Sequence, residues 1–128
     1  MIVDTSALVA LVTGEPEAEP FLRLLHRARV RMSAVTLFEF GIVIDRQRKP
    51  EVAAVAERLL KQIEVEVVPV DMAMADAARD GYRRFGKGNH AARLNFGDCF
   101  AYALATRTGE PLLFKGRDFA LTDVRPAA

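Results

Sequence analysis

The sequence has few of the side chains on which many catalytic and metal sites depend. Its 128 residues include one cysteine, two histidines and no tryptophan. The single cysteine, Cys99, excludes an internal disulfide and fits a reducing compartment such as the cytoplasm. With only His26 and His90, a closed zinc site and a histidine-based nucleophile system are both disfavoured.

The sequence also lacks a charge excess and a phosphate-binding loop. Eighteen basic and 17 acidic residues give a net charge of +1, so an attraction to nucleic acid or membrane can only be local. No segment has the GxxxxGK pattern. The apolar N-terminus has no positively charged leader and is too short to span a bilayer. We expect a soluble, cytoplasmic protein with no membrane partner.

Apolar patterning predicts strands that alternate with helices in a single domain, residues 1–128. The predicted strands are Ile2–Val3, Val30–Met32, Val65–Val70 and Leu112–Phe114, with Val124 as a candidate fifth. The predicted helices are 6–12, the segment that begins near Pro20, 34–48, the segment that begins at Pro50, 72–85 and 98–108. This alternation is typical of an α/β fold with a mainly parallel sheet of four to five strands, covered on both faces.

Four acids interrupt the apolar stretches of the chain. Asp4 and Asp118 each follow a predicted strand, whereas Glu39 and Asp98 each lie in a helix that is apolar on almost every face. In parallel sheets, ligands bind at the carboxyl ends of the strands. We therefore expect the four carboxylates to share one site.

Helix capping is the structural alternative for three of these acids. Asp4 or Thr5 can cap the first helix, and Asn95 or Asp98 can cap the helix at 98. Thr36 precedes Glu39 by three residues, as in a capping box, although Ser33 is the more natural cap for that helix. A shared site accounts for all of the acids with one cause.

A cluster of carboxylates stays ionised only if something positive neutralises it. The apolar stretches that contain the acids offer no Lys or Arg for this purpose. Oxygen ligands of this kind suit Mg²⁺ or Mn²⁺. The residues therefore predict metal-assisted hydrolysis, in which the cation activates water and stabilises charge on a phosphoryl oxygen.

Four segments, VDTSAL, SAVTLFEF, LNFGDCFAYALA and LLFKGRDFALTDV, follow one another along the chain. In sequence and order they resemble the PIN-domain ribonucleases, specifically the VapC toxins of bacterial toxin–antitoxin pairs. The resemblance implies a PIN-like α/β/α sandwich and an Mg²⁺-dependent endoribonuclease that cuts structured cellular RNA such as tRNA or rRNA.

The resemblance also implies roles for individual residues. Asp4, Glu39 and Asp98 fall on the best-matched metal-site acids, and Ser6 would help to hold a ligand or water in the same pocket. The fourth acid is assigned to Asp118, because Gly116 and Arg117 occupy positions where the family often has it.

The partners implied by the resemblance are a second copy of the chain and a cognate antitoxin whose tail lies in the active-site groove. Exposed apolar side chains on the helices at 8–11 and 38–42 are candidates for that groove, although core packing is the more common use of such residues.

The most basic window of the chain precedes Asp98. Its cations are Arg79, Arg83, Arg84, Lys87 and Arg93. Such clusters contact phosphates, and an aromatic side chain among them can stack on an unpaired base. The alternative is a solvated helix face followed by a polar loop.

Two other functions fit the residues. One is a metal-dependent phosphohydrolase that acts on small substrates. The other is a non-catalytic RNA- or protein-binding module, which would have no reason to keep four costly acids.

Overall fold

The computed structural model describes all residues from 1 to 128 and forms a three-layer α/β/α arrangement. The strands are β1 (Ile2–Val3), β2 (Arg31–Ser33), β3 (Glu66–Val68) and β4 (Leu112–Leu113). The helices are α1 (Thr5–Val12), α2 (Ala18–Leu25), α3 (Ala34–Arg46), α4 (Pro50–Gln62), α5 (Met72–Phe85) and α6 (Phe96–Thr108). A short 3₁₀ turn covers Phe119–Leu121. None of the helices is both long and apolar enough to cross a membrane.

All four strands are parallel and stand in the order β3-β2-β1-β4. The chain runs outward from β1 to β3 and then returns to place β4 on the other side of β1. The carboxyl ends of β1 and β4 therefore lie side by side at the point where the strand order reverses, which is where ligands bind in open α/β sheets.

The two faces of the sheet bury separate hydrophobic cores. Ile2 and Leu112 pack with α5 and α6 on one face, whereas Val3 and Leu113 pack with α1 to α4 on the other. Neighbouring residues of a strand point to opposite faces, so β1 and β4, with two residues each, contribute one side chain to each core. The predicted covering of both faces is confirmed.

The helix starts follow local capping signals. Asp71 accepts a hydrogen bond from Met74 N–H and begins α5, and Pro50 stands at the first position of α4, where a missing N–H costs nothing. Helix α3 ends at Arg46, two residues before the predicted end, because Arg48 is in the left-handed region with φ of 53°.

Strands β3 and β4 are shorter than the patterns predict, whereas β1 has the predicted bounds. Pro69 follows β3 directly. The candidate fifth strand at Val124 is wrong, since this segment makes only an isolated bridge between Leu112 and Pro126. In this bridge Leu112 N–H donates to the Arg125 carbonyl and Ala127 N–H donates to the Leu112 carbonyl.

Candidate active site

Asp4 occupies the turn between β1 and α1 and is 3% exposed. It caps α1, because Ser6 donates to Asp4 Oδ2 from its backbone N–H at 3.0 Å and from its hydroxyl at 2.6 Å. The other oxygen, Oδ1, is buried without a hydrogen-bond partner. Burial raises the pKa of Asp4, and the charge of Asp118 raises it further. A buried oxygen left unpaired is costly, so this atom marks a place for a ligand.

Glu39 points away from the start of its own helix and toward Asp4. Ser33 caps α3, so the alternative capping box between Thr36 and Glu39 does not form. The Thr5 hydroxyl instead donates to Glu39 Oε1 at 2.5 Å. Burial raises the pKa of Glu39, and the charge of Asp4 adds to the effect. The charge of Asp4 therefore acts on Glu39 across the β1–α1 turn.

Gly97, in the first turn of α6, makes room for the carboxylate of Glu39. A Cβ atom at position 97 would lie 1.8 Å from Glu39 Oε2, so only glycine allows this approach. Neither Gly97 nor Thr5 was predicted as a site residue from the sequence. The contact joins residues 58 positions apart on different helices, which periodicity within one helix cannot reveal.

Asp98 serves both as a helix cap and as a member of the acid cluster. Asn95 Oδ1 accepts from Asp98 N–H at 2.9 Å, and Asp98 Oδ2 accepts from Asn95 N–H at 3.0 Å, which completes a capping box. Burial raises the pKa of Asp98 to about 7, with further contributions from the charges of Asp4, Glu39 and Asp118. The capping alternative is therefore confirmed for this residue without removing it from the cluster.

Asp118 follows β4 at the start of the 3₁₀ turn and is exposed. Its side chain makes no capping hydrogen bond, and its charge raises the pKa of both Asp4 and Asp98. Ser6 connects the two loops, since its hydroxyl donates to Asp4 and accepts from Lys115 N–H at 3.0 Å. The only proton of this hydroxyl is thus committed to positioning Asp4.

The protein itself supplies no counter-charge to these carboxylates. None of the four acids forms an ion pair with a Lys or Arg side chain, and the nearby Lys115 pairs with Glu15 and Glu17 instead. No three His, Cys, Asp or Glu side chains are already close enough to enclose a metal ion. Mg²⁺ commonly uses one or two protein carboxylates and fills its remaining positions with water and substrate phosphate. The all-oxygen donors and the unpaired Asp4 Oδ1 fit such an ion.

The basic window divides into free and engaged side chains. Arg79, Arg83, Lys87 and Arg93 are exposed and form no ion pair within the protein. Arg84 is different, because it donates to Asp123 at 3.1 Å and to the Tyr102 hydroxyl at 3.0 Å and lies over the Phe85 ring. The structure therefore gives Arg84 a structural role and leaves four cations available.

The apolar surface beside the acids includes residues on two helices. Phe38 is 70% exposed and Ile42 is also exposed, whereas Leu8 is fully buried in the core. The predicted groove thus involves α3 and not the buried side of α1. Phe96 of α6, missed by sequence reasoning, completes a cleft of about 360 Å³ that also contains Glu39.

The PIN domain family matches residues 1–124 of the chain. The chain therefore belongs to the PIN-domain family. Among its relatives, a ribonuclease VapC of Mycolicibacterium smegmatis is 49% identical over 97% of both chains. A VapC ribonuclease of Mycobacterium bovis is 47% identical over 99% of this chain and 98% of the relative. The predicted resemblance to VapC ribonucleases is confirmed, and so is the enzyme class, an endoribonuclease.

Two solved structures have the same fold. The crystal structure of Mycobacterium tuberculosis VapC20, a Sarcin-Ricin loop cleaving toxin, superposes with a TM-score of 0.73 over 98% of both chains at 23% identity. PAE2754 from Pyrobaculum aerophilum has a TM-score of 0.64, also at 23% identity, and the match covers 98% of this chain and 81% of that one. These likenesses confirm the predicted PIN-like sandwich.

Proposed function

We propose that this protein is an Mg²⁺-dependent endoribonuclease toxin that cuts structured cellular RNA, such as tRNA or rRNA. The observation that supports it best is the unpaired buried Oδ1 atom of Asp4, which lies among acids that no basic side chain neutralises. Names of full-length relatives describe ribonucleases. The free cations of the basic window offer contacts for RNA phosphates.

The four acids and two hydroxyls have distinct roles in this proposal. Asp4, Glu39, Asp98 and Asp118 would hold one or two Mg²⁺ ions, or Mn²⁺ in their place. When bound, the metal supplies an activated water and neutralises charge on the phosphate. Thr5 orients Glu39 and Ser6 orients Asp4 through the hydrogen bonds described above. These contacts fix the carboxylates before substrate arrives, so little reorganisation is needed.

We propose a homodimer and a cognate antitoxin as protein partners, and the cytoplasm as the location. The exposed Phe38 and Phe96 beside Glu39 support an antitoxin tail in this cleft, where it would block the acids. The buried, unpaired Cys99 fits a reducing compartment. Light scattering of the purified chain measures its oligomeric state, and a monomer at micromolar concentration would contradict the dimer.

The decisive experiment is incubation of the purified protein with total RNA in Mg²⁺ or in EDTA, followed by sequencing of the new 5′ ends. Attack by water predicts 5′-phosphate and 3′-hydroxyl ends, formed only with the metal. Asp4→Asn should abolish cleavage, whereas the matched control Asp71→Asn, an exposed cap on α5, should retain it. Cyclic 2′,3′-phosphate ends or full activity in EDTA would contradict the mechanism. Hydrolysis of a chromogenic phosphate ester without cleavage of RNA would indicate a small-molecule phosphohydrolase instead.

A further inference from the structure

A second cleft, of about 260 Å³, lies between α5 and α6. All of its lining residues except Arg79 are hydrophobic. Two aromatic side chains of this cleft remain open to solvent, since Phe96 is 76% exposed and Tyr82 is 45% exposed. The Phe96 ring is supported from one side by Phe100, with ring centroids 5.3 Å apart. The cleft therefore exposes the aromatic rings of Phe96 and Tyr82, and no other part of the chain covers them.

The cleft adjoins the acid site. Phe96 lines both this cleft and the α3–α6 cleft that contains Glu39. It also precedes Asp98 by two residues in the first turn of α6. A bound polymer that passes over Phe96 would consequently reach the carboxylates on one side and the α5–α6 cleft on the other.

The charge around this cleft favours an anionic occupant. Arg79 is the one charged residue that lines it. The basic window that continues from Arg79 to Arg93 contains a single acid, Asp80, and its cations Arg83, Lys87 and Arg93 are exposed without ion pairs. The volume is below the roughly 300–1,000 Å³ of pockets for drug-sized ligands, so it suits one planar ring better than a helix. A ligand that fits this cleft has a flat ring to stack on the aromatic side chains and a negative charge to pair with Arg79. An unpaired nucleotide has both.

We infer that the α5–α6 cleft binds a single unpaired nucleobase of the RNA substrate. The base stacks on Phe96 and faces Tyr82, while Arg79 neutralises the adjacent phosphate. This inference rests on the proposed function, in which RNA is the substrate. It restricts the target to RNA with an unstacked base close to the cut, as in a loop or bulge, because a paired base cannot enter the cleft.

Binding of a short single-stranded oligoribonucleotide that contains 2-aminopurine tests the inference in EDTA, where no metal-dependent cleavage occurs. Stacking quenches 2-aminopurine fluorescence. Phe96→Ala should remove the quenching and weaken Kd by about 5- to 150-fold, the range for loss of one base–aromatic stack. Phe96→Tyr keeps a ring at this position and should keep both signals. Because Phe96 is largely exposed, the alanine variant should melt at the temperature of the wild type.

A charge-matched pair of variants tests the phosphate contact. Arg79→Ala should reduce the slope of log K against log salt by about 0.7, as expected for one phosphate contact with a single strand. Arg58→Ala removes the same charge from the exposed surface of α4 and should leave the slope unchanged. Equal slopes for the two variants would contradict a role for Arg79.

Three outcomes would overturn the base site. In the first, Phe96→Ala still quenches 2-aminopurine fluorescence. In the second, Phe38→Ala loses the quenching and Phe96→Ala does not. In the third, Phe96→Ala converts a dimer to a monomer and leaves RNA binding unchanged. The last would assign the cleft to a second copy of the chain. If the wild-type protein does not quench 2-aminopurine fluorescence but still cleaves RNA in Mg²⁺, the base site alone is rejected. Quenching without any metal-dependent cleavage rejects the proposed ribonuclease and leaves the base site standing.

Discussion

Replacing Asp98 by asparagine should stabilise the metal-free protein at neutral and alkaline pH. The pKa of Asp98 is raised from 3.8 to about 7, so ionisation of this carboxyl costs folding free energy. At 1.36 kcal/mol per pKa unit, the shift sets an upper bound of about 4 kcal/mol. Because Asp98 is half-buried, solvent reduces this figure, and we expect about 1–2 kcal/mol, or about 3–8 °C in Tm.

The sign of the pH dependence follows from proton binding. Between pH 4 and pH 7 the folded protein holds the Asp98 proton and the unfolded chain does not, so stability falls as pH rises through this range. In Asp98→Asn this contribution is absent. The two proteins should therefore melt at similar temperatures at pH 4, and the variant should melt higher at pH 8.

Thermal melts in EDTA at both pH values measure this difference. The asparagine Oδ1 can still accept from Asn95 N–H, so the capping box survives the substitution. Asp71→Asn is the matched control, since Asp71 caps α5 outside the cluster and its variant should gain no stability at pH 8. A lower Tm for Asp98→Asn than for wild type at pH 8 would show that Asp98 is chiefly a structural cap and refute the reasoning.

Three further predictions concern the same site. Saturating Mg²⁺ or Mn²⁺ should raise the Tm of the wild-type protein, because a ligand that binds only the folded state stabilises it, and an unchanged Tm in a calorimetric scan would contradict this. Gly97→Ala should displace the flexible end of Glu39 and weaken the affinity for Mn²⁺ by tenfold or more, as measured by titration calorimetry, with little change in Tm. Gly41 has open space around it, so the control Gly41→Ala should leave the affinity unchanged. Thr5→Val should lower the rate of RNA cleavage by about tenfold, since Glu39 loses its donor, while Thr5→Ser should restore it.

Local patterns predicted the fold well wherever a single residue dictates the backbone. Pro50 signalled the start of α4, and the helix predicted over 72–85 begins at Met72 with Asp71 as its cap. The fifth strand was wrong because the apolar character of Val124 reports burial, not strand pairing. The pairing there consists of one isolated bridge, between Leu112 and Pro126.

The candidate site was predictable in its acids and not in the groups that position them. An acid in an apolar stretch is visible in the sequence as an anomaly, as for Asp4 and Glu39. Gly97 and Thr5 acquire their roles only through contacts between separate helices. Phe96 lies in an apolar segment of the sequence, which does not reveal that its place in the first turn of α6 leaves it exposed.

The order of the strands explains why so short a chain can concentrate so much negative charge. Asp4 follows the central strand β1 and Asp118 follows its neighbour β4, and the start of α6 brings Asp98 to the same edge of the sheet. Asp4, Glu39 and Asp118 each raise the pKa of another acid in the cluster, so the cluster lowers the stability of the metal-free fold. The hydrophobic cores on both faces of the sheet stabilise the fold independently of the cluster. The chain is therefore already folded when a cation binds, and a cation that relieved the repulsion would stabilise that fold further.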